Sequence, residues 1–67
     1  MTFHIETLEP GISWTIANEG ELIGSVQRLA TGYLVTIDSP PKKVKRFRMI
    51  DALHEALGED AEIVGLS

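Results

Sequence analysis

The chain contains no cysteine at all. That absence excludes a disulfide framework and any thiolate metal site, and a reducing compartment is compatible with it. Aromatic residues are scarce, one Trp, one Tyr and two Phe, so the core rests on aliphatic side chains. No apolar run approaches the roughly 20 residues that cross a bilayer, and the N-terminus lacks the basic region and apolar segment of a secretory signal. We expect a cytoplasmic protein with no membrane association. Basic residues are also few, six Lys and Arg against ten Asp and Glu for a net charge of −4. A uniformly cationic nucleic-acid binder is thereby disfavoured, since phosphate affinity comes mostly from cations. With 67 residues the chain makes one domain, near the size limit at which a single apolar core suffices: about 60% of the unfolded surface is buried at this length.

The period of the apolar residues changes along the chain. Phe3 and Ile5 alternate with His4 and Glu6, and Ile12, Trp14 and Ile16 with Ser13, Thr15 and Ala17, the period-two pattern of half-buried strands. Glu9-Pro10-Gly11 and Asn18-Glu19-Gly20-Glu21 read as turns. In Leu22 to Leu29 the parity is broken, and Gly24 is the natural place for a bulge. Ala30-Thr31-Gly32 leads into Tyr33 to Ile37, and Asp38-Ser39-Pro40-Pro41 makes a rigid connection without ladder donors before a fifth strand, Lys43 to Phe47. From about Arg48 the period becomes helical: Met49, Ile50, Leu53, Ala56 and Leu57 form a stripe, and Gly58 stands where a left-handed C-cap belongs. Residues 59–67 read as a flexible tail or, through Ile63, Val64 and Leu66, as a short final strand. The expected fold is α+β: an antiparallel meander sheet of four to five strands packed on one C-terminal helix. Its core is Phe3, Ile5, Trp14, Ile16, Val26, Val35, Ile37, Ile50, Leu53 and Leu57.

The pattern carries no catalytic motif. His4 and His54 lie in different elements without the spacing of a metal triad, and Ser13, Ser25, Ser39 and Ser67 have no base or oxyanion motif around them. The glycines are scattered singly, so there is no phosphate loop. We expect no enzyme, no metal and no cofactor. Trp14 reads as core, with a stacking platform as the alternative, and Tyr33 opens a strand beside a loop.

One asymmetry remains. Five of the six cations, Lys42, Lys43, Lys45, Arg46 and Arg48, lie within seven residues, between two acidic segments. The bland reading is a solvated edge strand whose charges prevent aggregation and pair with the acidic tail. The functional reading places this band where a strand hands over to a helix N-terminus, whose dipole is already positive, so that the corner suits an anion, with Asp51 and Glu55 offsetting part of the charge. Binding residues on that reading are Arg28, Tyr33, Lys42, Lys43, Lys45, Arg46 and Arg48. A non-catalytic interaction module follows, with an acidic protein surface or self-association ahead of nucleic acid.

From Gly24 onward the order GSVQRL, YLVTI, KKVKRF and helix MIDALHEAL resembles the three-stranded-sheet-plus-helix DNA-binding domains of phage-type tyrosine recombinases and ethylene-response transcription factors. Phe47 and the Ala52/Ala56 helix face echo that pattern. The resemblance implies a sheet that enters the major groove with the helix behind it, and Arg28, Lys43, Lys45 and Arg46 as nucleic-acid contacts. It covers about half the chain, and its second strand offers no cation.

Overall fold

The computed structural model describes residues 1–65. Five strands, β1 (Thr2–Glu9), β2 (Ser13–Asn18), β3 (Glu21–Leu29), β4 (Gly32–Ile37) and β5 (Lys42–Arg46), form an antiparallel meander. A helix, α1 (Met49–Leu57), packs on β4 and β5. The chain then returns as β6 (Glu62–Val64), parallel to β1, and the sheet order is β5-β4-β3-β2-β1-β6. The expected α+β meander on one helix is therefore present, and the residues after the helix include a strand. Leu66, expected near its end, lies outside the described residues.

Parallel pairing requires a crossover, and this one traverses the whole sheet, from the β5 edge to the far side of β1. Five strand spacings amount to about 24 Å, whereas nine helical residues span about 14 Å. The helix therefore covers only the β4–β5 half of one face. The segment after it, with Ala61 buried in the core, leads across the remainder.

Pairing register sorts the sheet into rows, because residues opposite one another share a face. On the covered face one row is Lys42, Ile37, Gly24, Ile16, Ile5 and the next is Val44, Val35, Val26, Trp14, Thr7. Ile16, Val26, Val35 and Leu53 are fully enclosed. On the open face the rows are Lys43, Thr36, Ser25, Thr15, Glu6 and Lys45, Leu34, Gln27, Ser13, Glu9. Apart from Leu34 the middles of these rows are polar, with a lysine at one edge and a glutamate at the other.

Several expectations are corrected. Ile12 does not share the core face with Trp14 and Ile16: it lies in the turn before β2 and is 52% exposed. Trp14, Ile50 and Leu57 are only partly buried, while Val44, Ala52 and Ala61 join the core. The stripe of α1 is centred on Ala52 and Leu53, both wholly enclosed. The irregularity in β3 is a bulge at Ile23, between the partners of Ile16 and Ala17. Next to it, Gly24 lies so close to β4 that a Cβ would strike the Thr36 carbonyl oxygen. Gly58 ends the helix with a positive φ of 114° but an extended ψ of 145°, and its N–H donates to the His54 carbonyl. It is a glycine-only stop rather than the left-handed cap.

Candidate functional site

The seven candidate binding residues fall into three places. Alternation about Val44, which points into the core opposite Val35, sends Lys43 and Lys45 to the open face and Lys42 and Arg46 to the helix side. The basic band is thus divided by the pleat and is not a single surface.

On the helix side the two cations are held by α1. The Arg46 guanidinium forms an ion pair with the Glu55 carboxylate and also donates to the Lys45 carbonyl at 2.7 Å, and Lys42 Nζ donates to the Glu55 carbonyl at 3.2 Å. At the helix start, Arg48 occupies the N-cap position without a capping hydrogen bond from its side chain, and Asp51 in the first turn lies 3.8 Å from its Nε. The positive charge of this corner is therefore partly offset within the chain. Carboxylates of the same chain, Asp51 and Glu55, already face it.

On the open side, Lys43 and Lys45 stand over Thr36 and Leu34, and among the described residues neither has an ion-pair partner. β5 is also the terminal strand, so among the described residues its outer edge has no neighbouring strand.

The third place is the end of the sheet where β3 turns into β4 and β5 leads into α1. Here Tyr33 lies between two arginines in register, Arg28 on β3 and Arg46 on β5. Arg28, Leu29, Ala30, Gly32, Tyr33, Phe47 and Arg48 line an open groove of about 320 Å³. Gly32 makes this corner: its φ is +145°, and a Cβ on it would meet the Arg46 carbonyl oxygen and approach the Phe47 Cα to 3.1 Å. Phe47 projects from the corner with 81% of its surface exposed. On the other flank of Tyr33 the Trp14 ring lies 5.9 Å away, tilted by 55°. A second groove of about 370 Å³ runs past it, bounded by Pro10, Gly11 and Met49 among others. Tyr33 thus joins two grooves, and Trp14 is both a core-packing residue and part of a surface.

A third cleft, lined by Arg46, Asp51, His54, Glu55 and Glu59, contains a histidine but no hydroxyl nucleophile. His4 is remote from it, on the open side of β1. Among the described residues no group of three His, Asp or Glu side chains is arranged to hold a metal ion, and no helix is long and apolar enough to cross a membrane.

Phe47 was not among the expected binding residues. The signal for it is its place: a large apolar residue directly after Arg46, the last paired residue of β5, and between two arginines. Comparison with protein families, with curated proteins and with solved structures yields no match.

Proposed function

We propose that this chain is a non-catalytic interaction module that takes an extended acidic segment of a partner protein onto the free edge of β5. The observation that carries the reading is the conjunction of an unpaired edge with Lys43 and Lys45, two cations without carboxylate partners among the described residues. A segment added as a further strand gains main-chain hydrogen bonds from the edge and places alternate side chains beside the lysines. The non-catalytic part of the reading is supported by the three grooves, none of which brings a hydroxyl nucleophile and a histidine together.

The far side of the open face argues for protein over nucleic acid. Both lysine rows end in carboxylates, Glu6 and Glu9, so a duplex laid across the sheet meets negative charge, whereas a strand running along β5 stays clear of it. Self-association through the same edge is opposed by charge. Two copies of β5 paired antiparallel about Val44 would set Lys43 against Lys45 and Lys42 against Arg46, and like charges directly opposite destabilise a ladder.

The test is titration of the protein with fluorescein-labelled peptides of eight residues that alternate Glu with Thr or Val, followed by anisotropy at low and physiological salt. Binding should be salt-sensitive, should fall at least 10-fold in K43E/K45E, and should slow amide exchange in β5. No binding at low salt, or binding that K43E/K45E leaves unchanged, overturns the reading. Retardation of generic DNA or RNA by the wild type, abolished in that variant, overturns it in favour of nucleic acid.

A further inference from the structure

The acidic segment has an end, and the structure offers a place for it. We infer that the groove between Tyr33 and Phe47 is an anchoring pocket for an aromatic side chain of that segment, with Arg28 and Arg48 beside it to take the carboxylates that flank the ring. The inference rests on the reading above and adds the sequence class of the partner.

The first support is continuity. Phe47 directly follows Arg46, the last paired residue of β5, and Tyr33 lies opposite Arg46. A segment paired along β5 that continues past Arg46 therefore runs onto the groove. The second is the surface itself. A large apolar residue 81% exposed is held beside a half-buried tyrosine on a corner whose close backbone approach only glycine permits. Aromatic and arginine side chains of this kind dominate the energetics of protein interfaces. The third is charge. Arg28 has no ion-pair partner among the described residues, and the Arg48 contact with Asp51 is a long, exposed one, so an incoming carboxylate competes on favourable terms. The segment that satisfies all three has acidic residues at two alternate positions and, beyond them, an aromatic residue flanked by carboxylates, read in either chain direction.

The experiment compares two labelled peptides, Thr-Glu-Thr-Glu-Glu-Trp-Glu and the same sequence with Ala for Trp, together with their reversed sequences, against the full chain and its Phe47→Ala and Arg28→Glu variants. Phe47 is exposed, so F47A is expected to retain the wild-type melting temperature. In one chain direction the Trp peptide should bind 10- to 100-fold more tightly than the Ala peptide. F47A should reduce the Trp peptide to the level of the Ala peptide and leave the Ala peptide unchanged, and R28E should weaken the Trp peptide more than the Ala peptide. If Trp and Ala peptides bind equally in both directions, the anchor is overturned while the edge-strand reading stands. If neither binds, the edge-strand reading itself has failed, and the anchor with it. If single-stranded oligonucleotides bind and F47A abolishes that binding while the peptides bind nowhere, the groove is a base-stacking site and the inference is overturned.

Discussion

The two sides of β5 carry the same kind of charge and meet different fates. On the side facing α1, Arg46 is paired with the Glu55 carboxylate and Lys42 with the Glu55 carbonyl, so their positive charge fastens the helix to the edge strand. On the other side, Lys43 and Lys45 stand over Thr36 and Leu34 on the open face, and within the described residues no carboxylate answers them. A run of cations in sequence is thus two populations in space, one structural and one free, separated by a pleat with Val44 as its pivot. Only the free population can be assigned to a partner without first breaking a contact.

The largest effects should come from the covered side. Leu53→Ala empties a fully enclosed position between α1 and the sheet, and we expect a loss of about 2–5 kcal/mol, a large part of the stability of a domain this size. The matching change on the open face, Leu34→Ala, removes a half-buried side chain and should cost about 1 kcal/mol or less. Urea denaturation of the two variants measures the contrast, and equal losses would mean that the open face is not open. Next comes Gly32→Ala. A side chain at φ +145° carries about 1–3 kcal/mol of backbone strain, and here the Cβ also meets the Arg46 carbonyl. The variant should melt lower and lose the Phe47 corner together with the β4–β5 junction, read from chemical-shift changes confined to residues 28–33 and 44–48.

Much of this fold could be read from the sequence because strand parity and helix period are local. Ile5, Ile16, Val26, Val35 and Leu53 were placed in the core by alternation or by the 3.6-residue repeat alone. The failures occur where a turn resets the phase. Ile12 keeps the parity of Trp14 and Ile16 but precedes the first paired residue of β2, so its alternation carries no information about facing. The bulge at Ile23 was foreshadowed by Gly24 one residue away. The division of the basic band was also legible in principle, since Val44 is the one apolar residue within Lys42–Arg46 and fixes the phase of its neighbours. The groove was not legible. It brings residues 28–33 against 47 and 48 through a close approach of two backbones at Gly32, a relation no local period encodes. Pairing of the band with acidic residues further along the chain was legible, but not which cation takes which partner, because that depends on where α1 settles over the sheet.

Charge reversal sharpens the contrast at smaller amplitude. Among the described residues the side chains of Lys43 and Lys45 make no ion pair, so K43E/K45E should change stability by no more than about 0.5 kcal/mol while weakening an acidic peptide at least 10-fold. A melting temperature far below wild type would show that these lysines belong to the structural population after all.

The smallest effect is the most discriminating. The Arg46–Glu55 pair is about half exposed on both partners, so a double-mutant cycle of Arg46→Ala and Glu55→Ala should give a coupling of only about 0.2–1 kcal/mol, reduced by salt. Its consequence for binding has the opposite sign from its consequence for stability. Glu55→Ala releases the Arg46 guanidinium and removes one negative charge from the rim of the edge strand, yet leaves the backbone carbonyl that Lys42 uses. The variant should therefore be slightly less stable and bind an acidic peptide about two- to threefold more tightly. Arg46→Ala has no such gain open to it, because the cation is lost with the pair. If Glu55→Ala binds no better than wild type, Arg46 contributes nothing to the edge even when freed, and the recognition charge of β5 rests on Lys43 and Lys45 alone.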